Sequence, residues 1–540
     1  MDPSQQQRVN PWVVTFSVML ATFMEILDTT VVNVSIPHIA GNLAASVDEG
    51  TWVVTSYLVS NAIILPMAGW LARQVGRRKL LIGCVAGFTL TSLCCGAAAS
   101  LEWLIFFRVL QGLTGGGMQP LAQAILLESF PPEKHGQAMA AFAIGILLAP
   151  ILGPTLGGWI TDNYSWRWIF YLNLPVGVLS LFLMNAFVFD PPYIRRTPGR
   201  VDLWGIGFLA LGFGMLQVVL DTGQRKDWFS SNEIRAWTVL CVLGLVLFVI
   251  REVTTRRPVV DLRALLDRTF STGVFLMTLL GFVLYASLVL LPIYLQTLLG
   301  YPALQAGLAL SPRGVGSLVM APVTGYLTSK YDPRKLLVVG MTIGAWTMYD
   351  LSRLNLQAGY WDVFWPQLIQ GVALSLLFIP LMAVSMSRIP KERMGNATSI
   401  FNLMRNIGGS FGIAVMTTFL ARRNQFHQNT LVSHVTEYDL QTRQLLEGMR
   451  TWFQTQGADA YTATRRALAA IYMLVQRHAA MLSFVEAFWV MAVVLVVMVP
   501  LVAVLRNPRA APEARKRRPK LAAPPVPKAA PKAGAAAAGE

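Results

Sequence analysis

Charged residues are scarce in this chain of 540 residues, where they make up 13% of the total. Soluble domains carry roughly 25%. Cysteines number four and histidines five. Cys84, Cys94, Cys95 and Cys241 lie in apolar runs without metal-site spacing, which predicts neither a disulfide framework nor a metal centre. No Gly-Lys-Ser/Thr phosphate loop and no nucleophile–base arrangement stands out, which argues against ATP-driven chemistry within this chain. A soluble protein is excluded.

Long apolar runs are abundant in the chain. Hydrophobic residues reach 54% and the mean hydropathy is +0.51. Runs of about 20 apolar residues are typical of transmembrane helices. They predict an all-α integral membrane protein with spans near 12–37, 51–71, 79–99, 103–128, 138–161, 168–189, 202–221, 236–252, 270–298, 305–328, 335–355, 362–387, 397–421 and 482–505. The first run continues into polar residues without a cleavage pattern, so we expect a retained span.

Basic residues predict the orientation, because short cytoplasmic loops are enriched in Lys and Arg. One set of loops holds most of them: Arg73, Arg77, Arg78, Lys79; Arg195, Arg196, Arg200; Arg251, Arg256, Arg257; Lys330, Arg334, Lys335; Arg388, Lys391 and Arg393. The alternate short loops are nearly bare apart from Arg225, Lys226 and Arg235. The first set is predicted to be cytoplasmic, and an even number of spans then places both termini there.

The chain also repeats itself. Pro66, Gly69 and the pair 78–79 return as Pro322, Gly325 and 334–335, at an offset of 322 − 66 = 256. Gln111-Gly112 returns as Gln370-Gly371, at 370 − 111 = 259. Parallel repeats are a transporter architecture with the site between the halves. We predict a six-helix bundle at 11–190, an inserted pair at 201–255, a second six-helix bundle at 265–505 with a long outer loop at 422–480, and a disordered basic tail at 506–540.

Glu25 and Asp28 lie inside the first apolar run, three residues apart and so on one face of a helix. Ionisable groups in hydrocarbon are costly and usually functional. We predict that both face a water-accessible hollow between the halves and bind and release protons. Arg108, in span four, needs a carboxylate at that depth, and we expect it to face Asp28 or Glu25 and to modulate them. The alternative is a static ion pair.

Other intramembrane residues are candidates for a polar, adaptable substrate cavity, although core packing is the alternative for each. They are Met24, Asn33, Tyr57, Asn61, Gln111, Gln119, Gln296, Asn402 and Arg405. Arg313 in span ten and Asp350 in span eleven are expected to lie at similar depth and to pair.

Five motifs carry a family resemblance that covers about residues 11–505. They are Gly69-Trp-Leu-Ala-Arg73-Gln-Val-Gly76-Arg77-Arg78-Lys79, Arg108-Val-Leu-Gln111-Gly112, Gly145-Ile-Leu-Leu-Ala-Pro150-Ile-Leu-Gly153-Pro154-Thr-Leu-Gly157-Gly158, Leu27-Asp28-Thr-Thr-Val-Val-Asn33-Val-Ser-Ile-Pro37 and Trp166-Arg167-Trp168-Ile-Phe-Tyr-Leu-Asn173-Leu-Pro175. Together they resemble the major facilitator superfamily, and within it the fourteen-helix drug:proton antiporters of the EmrB/QacA-like group. One departure is Arg73, where the superfamily usually has Asp, which puts a carboxylate at that loop in doubt.

The resemblance implies the major facilitator fold and proton-coupled efflux of bulky hydrophobic compounds across the bacterial inner membrane by alternating access. It implies no cofactor beyond the proton gradient, and it assigns the Gly145–Gly158 helix to the direction of antiport at the interface between the halves. EmrB-like members work with a periplasmic adaptor and an outer-membrane channel, for which 422–477 is the natural docking segment. No nucleic-acid partner is expected.

Three alternatives stay open. The same fold could export one metabolite, such as a fatty acid or a siderophore. An uptake symporter is disfavoured by the Gly145–Gly158 motif. A membrane-embedded enzyme or a sensor is disfavoured by the twofold repeat and by the lack of a catalytic cluster.

Overall fold

The computed structural model describes residues 10–131, 134–189, 202–255, 258–436 and 438–505. Long helices dominate this part of the chain. The predicted tail at 506–540 lies outside the described residues, as do the loop residues Arg195, Arg196, Arg200, Arg256 and Arg257.

The helices follow the predicted spans closely. The first half holds α1 Pro11–Asn42, α2 Trp52–Val75, α3 Arg77–Gly96, α4 Leu101–Gly115, α5 Met118–Ser129, α6 His135–Asn163 and α7 Trp168–Phe187. The inserted pair is α8 Leu203–Thr222 and α9 Asn232–Thr254. The second half holds α10 Arg268–Thr297, α11 Ala303–Lys330, α12 Pro333–Leu351, α13 Tyr360–Met386, α14 Met394–His434, α15 Leu440–Thr455 and α16 Ala460–Leu501.

Ten of these segments, within the described ranges, are long and apolar enough to cross a membrane. The others at predicted span positions are α4 with α5, α11, α12 and α14. These are helical at the expected places. The helix order is therefore consistent with fourteen spans, in which α4 and α5 form one span interrupted at Gly116 and Gly117.

The long outer segment is more ordered than its polar sequence indicates. Helix α14 runs past the predicted end of its span to His434, and α16 begins at Ala460, well before the predicted span at 482. Helix α15 lies between them and is preceded by Asp439, whose carboxylate accepts a hydrogen bond from the backbone N–H of Thr442. A side-chain acceptor of this kind satisfies one of the free N–H groups at a helix start.

The two halves are joined on the side that carries the Gly69–Lys79 loop. The backbone N–H of Gly69 donates to Ser399 Oγ at 3.2 Å, and Thr398 Oγ1 donates to the Pro120 carbonyl at 2.9 Å. A Cβ on Gly136 in α6 would meet the backbone of Gly325 in α11. Glycine permits such backbone approach because it has no side chain. The halves are thus closed at this end.

The inserted helix α8 contacts both halves near the opposite end. Asp221 accepts a hydrogen bond from Thr55 in α2. Gln217 accepts one from Ser410 in α14 at 3.0 Å. Helix α8 therefore lies beside the junction of the halves and does not separate them.

Candidate functional site

Asp28 is the centre of a buried polar cluster in the first half. Its side chain is 1% exposed. Its Oδ2 accepts from Arg108 at 2.6 Å, and its Oδ1 accepts from Asn173 at 2.7 Å and from Gln111 at 3.2 Å. Helices α1, α4 and α7 each contribute a group, so the cluster also fixes their packing. A buried carboxylate needs such donors to offset the loss of its hydration.

Arg108 is fully buried and held on several sides. Its Nε donates to the Val53 carbonyl at 2.9 Å, and its Nη1 also donates to Gln111 at 2.8 Å. The guanidinium carbon lies 4.3 Å from the centre of the Tyr57 ring, an arrangement in which the ring face attracts the cation. Of the two partners expected from the sequence, Arg108 faces Asp28.

Glu25 has a different environment, although it lies one turn away on α1. It is 3% exposed, and its Oε1 accepts from Asn61 at 3.0 Å. Its Oε2 is buried without a hydrogen-bond partner among the described residues. Arg405 of the second half acts on it electrostatically. Glu25 is therefore the less satisfied of the two carboxylates and the one nearer to the junction.

Amide side chains join the halves next to Glu25. Arg405 in α14 donates to Gln119 in α5, while its Nε and Nη1 have no partner among the described residues. Asn402, one turn earlier on α14, donates to Gln123 at 2.5 Å. These contacts lie deeper in the protein than those at Gly69. A displacement of the halves would break them.

The predicted substrate cavity is only partly assembled in this conformation. Six of its candidates are buried in or beside two polar clusters, one around Asp28 and one around Glu25 and Arg405. These six are Tyr57, Asn61, Gln111, Gln119, Asn402 and Arg405. Met24 is buried in the core beside them. Asn33 and Gln296 are exposed and join neither cluster. The expectation that the two carboxylates meet water directly does not describe this conformation, because helices of both halves cover them.

The Gly145–Gly158 motif packs α6 against α1. Side chains added at Gly145, Gly153 and Gly157 would meet Met19, Thr30 and Val31, respectively, whereas Gly158 has room for one. Pro150 and Pro154 lie inside the unbroken helix α6. Helix α6 was expected at the interface between the halves, and it packs there against α11 of the second half, with Gly136 close to Gly325. Its face with Gly145, Gly153 and Gly157 packs against α1, the helix that carries Glu25 and Asp28.

A carboxylate pairs with the Gly69–Lys79 loop, but it belongs to helix α5. Arg77 is 5% exposed and forms an ion pair with Glu128 at the end of α5. Lys79 is exposed, and Arg78 donates to Asn185 at 2.8 Å. Gly76 has a φ of 99°, which favours glycine. Arg73, at the position where the family usually has Asp, is partly buried.

The expected pair of Arg313 and Asp350 is wrong. Arg313 donates to Gln367 at 2.9 Å and to Ser287 at 3.2 Å, while Asp350 lies near the end of α12 and is only partly buried. Similar depth along two helices does not bring side chains together unless both also face the same neighbour.

Three residues at the site were missed by sequence reasoning. Asn173 contacts Asp28 from α7. The sequence feature that could have identified it is a lone amide side chain in an otherwise apolar motif. Gln123 joins the halves and lies one turn after Gln119, so it shares that residue's face of α5. Glu128 was counted simply as the end of a span, and no local pattern connects it with Arg77.

Comparisons with known proteins agree with the fold. The family model described as the Major Facilitator Superfamily matches residues 18–413. The multidrug export protein EmrB of Escherichia coli K12 is 37% identical over 91% of this chain and 94% of its own length. EmrB of Haemophilus influenzae is 42% identical over 79% and 83%, and the fatty acid resistance protein FarB of Neisseria gonorrhoeae is 39% identical over 79% and 84%.

Solved structures share the fold at low sequence identity. The human organic anion transporter MFSD10 (TETRAN) superposes with a TM-score of 0.56 at 13% identity, over 90% of this chain and 99% of that chain. The proton:xylose symporter XylE gives 0.55 at 16% identity, over 89% and 99%. At this identity the likeness concerns the fold alone.

Proposed function

Because this chain belongs to the Major Facilitator Superfamily and is a multi-pass membrane transporter, we propose that it exports bulky hydrophobic compounds from bacteria in exchange for protons. The exporters named above support the direction and the substrate class. The observation that carries the proton coupling is Glu25, a buried carboxyl group at the junction of the two halves, one oxygen of which has no hydrogen-bond partner among the described residues. The proton gradient is the energy source in this proposal, without a further cofactor.

The two carboxylates have separate roles in the proposed cycle. Asp28 accepts three hydrogen bonds and is the ion-pair partner of Arg108, and this cluster holds α1, α4 and α7 together. Glu25 carries the exchangeable proton, on the oxygen that has no partner. An ionised Glu25 attracts the unpaired side of Arg405 and draws the halves together. Protonation removes that attraction, so that the halves separate at the end that is closed in this conformation.

The proposed orientation follows from the basic loops. The closed end that carries Gly69 and Arg77 faces the cytoplasm of a bacterial inner membrane, as do both termini. The helices α14, α15 and α16 then project on the outer side, where they are the proposed docking site for a periplasmic adaptor of a tripartite pump. Their exposed apolar side chains, such as Trp452 at 58% exposure, support this assignment.

A second candidate is export of one amphipathic metabolite. The relative FarB is named for fatty acid resistance, and its identity to this chain is close to that of EmrB. The two candidates share the fold and the proton site and differ only in substrate.

Transport by reconstituted protein tests the proposal. Wild-type protein in proteoliposomes is expected to move the cationic dye ethidium against its concentration gradient only while a pH gradient is imposed. Glu25→Gln is expected to abolish this uphill movement, because the amide cannot exchange a proton. Gln296→Ala, at an exposed position outside the polar clusters, is the matched control and should transport normally. Uphill transport by Glu25→Gln, or wild-type transport indifferent to the gradient, would refute the proposal.

A further inference from the structure

The inserted helix α8 joins the two halves at the end opposite the Gly69 contact. Its last turns contact Thr55 in α2 and Ser410 in α14. At the closed end the two halves meet directly instead, with the backbone of Gly69 against that of Asn396. Rigid halves that move relative to each other cannot both keep their contacts with one helix. One of the two attachments of α8 must therefore break when the halves move.

The attachment of α8 to the first half combines a charged group with close packing. Asp221 in α8 accepts a hydrogen bond from Thr55, which is 1% exposed. Two turns earlier, a Cβ on Gly214 would lie 3.4 Å from Ile63 and 3.6 Å from Val59, so the backbone of α8 lies against α2. A hydrogen bond to a carboxylate is roughly twice as strong as one between neutral groups. Charge and packing thus both fix α8 to α2.

Helix α9 is fixed to α8 by two facing glycines. A Cβ on Gly212 would lie 2.9 Å from the backbone nitrogen of Leu245, and one on Gly244 would lie 2.6 Å from the backbone nitrogen of Gly212. The two backbones therefore touch, which small residues permit and larger ones prevent. The inserted pair moves as one unit, and its contacts with α2 and α14 decide which half it follows.

The attachment to the second half is made by hydrogen bonds between uncharged side chains. Gln217 in α8 accepts from Ser410 at 3.0 Å. In the turn after α8, Gln224 accepts from Thr418 at 2.6 Å, and the ring nitrogen of Trp228 donates to Thr418 at 2.8 Å. Hydrogen bonds between neutral groups contribute less to stability than those to a carboxylate, so this is the weaker attachment.

We propose that α8 is a releasable strap, which follows the first half and lets go of Ser410 and Thr418 whenever the end at Gly69 opens. As that end opens, the opposite ends of α2 and α14 rotate towards each other, and α8 is displaced from α14. Closure of the Gly69 end restores the hydrogen bonds. The inference rests on the transport proposed above, because alternating access requires the halves to move. It assigns a part in the cycle to the inserted pair, which has no counterpart in the internal repeat.

Reducible cross-links test this inference in protein whose native cysteines have been replaced. A short bifunctional thiol reagent joins Gln217→Cys to Ser410→Cys in one variant, and Thr55→Cys to Asp221→Cys in the matched control. The first cross-link ties α8 to the second half and should stop uphill ethidium transport in proteoliposomes until it is reduced. The second ties α8 to the helix that it already follows, so transport should be the same before and after reduction.

Each variant is its own reference, because the same protein is measured before and after reduction. Gln224→Cys with Thr418→Cys is a second pair across the weaker attachment, which should behave like the first and replaces it if the first is inactive when reduced. Full transport with the cross-link to α14, or equal loss with the cross-links to α14 and to α2, would overturn the strap. Wild type and reduced variants that all fail to move ethidium would instead refute the proposed drug:proton exchange itself, so the two failures are distinguishable.

Discussion

Replacement of Asp28 by Asn is expected to lower the free energy of unfolding by about 3–5 kcal/mol, the cost of leaving one member of a buried ion pair uncompensated. Arg108 is completely buried, and its one charged partner among the described residues is Asp28. The neutral amide keeps the shape of the side chain and removes only the charge. Thermal unfolding of the purified protein in detergent measures the loss.

The double variant Asp28→Asn/Arg108→Gln is the control for this prediction. It removes both charges and leaves a set of amides that can hydrogen-bond with Gln111 and Asn173. We expect it to recover much of the stability, because replacing both members of a buried pair costs less than removing one. Asp28→Asn protein as stable as wild type, or a double variant less stable than either single variant, would contradict the account of this cluster.

Replacement of Gly69 by Ala is expected to open the closed end of the molecule. The added Cβ would lie 2.7 Å from the Asn396 nitrogen and 2.8 Å from its Cα, and backbone atoms cannot rotate away as a side chain can. Helices α2 and α14 must then separate. Overpacking of this kind costs about 1–3 kcal/mol. A penalty of about 1.4 kcal/mol changes an equilibrium constant tenfold, so the ratio of the closed to the open form should fall about tenfold.

Spin labels at two exposed positions of this end, Val75 and Lys391, measure the change by pulsed electron resonance after the native cysteines are replaced. The distance distribution should shift to longer values in Gly69→Ala. Gly83→Ala is the matched control, because Gly83 lies in a helix and a Cβ added there would meet no other atom within 4 Å, so its distribution should equal that of wild type. A Gly69→Ala distribution indistinguishable from that of Gly83→Ala would show that this contact does not hold the halves together.

Hydrophobicity and the cost of buried charge made part of the structure predictable from the sequence. Spans were located because a helix in lipid must be apolar, and the partner of Arg108 was restricted to two residues because a cation at that depth needs a carboxylate. The C-terminal end of α14 and the N-terminal end of α16 were not predictable, since both helices extend into polar sequence where hydropathy carries no signal.

Contacts that depend on how each helix is rotated about its axis could not be predicted from the sequence either. Arg313 was assigned to Asp350 from depth alone, and Asn173 was overlooked because 145 residues separate it from Asp28. The side of the protein that is closed could not be predicted either. It reflects a balance between conformations of one sequence, which differ by only a few kcal/mol.

Proton release on drug binding tests the central claim most directly, namely that Glu25 is the group that exchanges a proton for substrate. Purified wild-type protein in weakly buffered solution with a pH indicator is expected to release protons when ethidium is added, and Glu25→Gln should bind ethidium without releasing any. The same proton release from Glu25→Gln as from wild type would contradict the account.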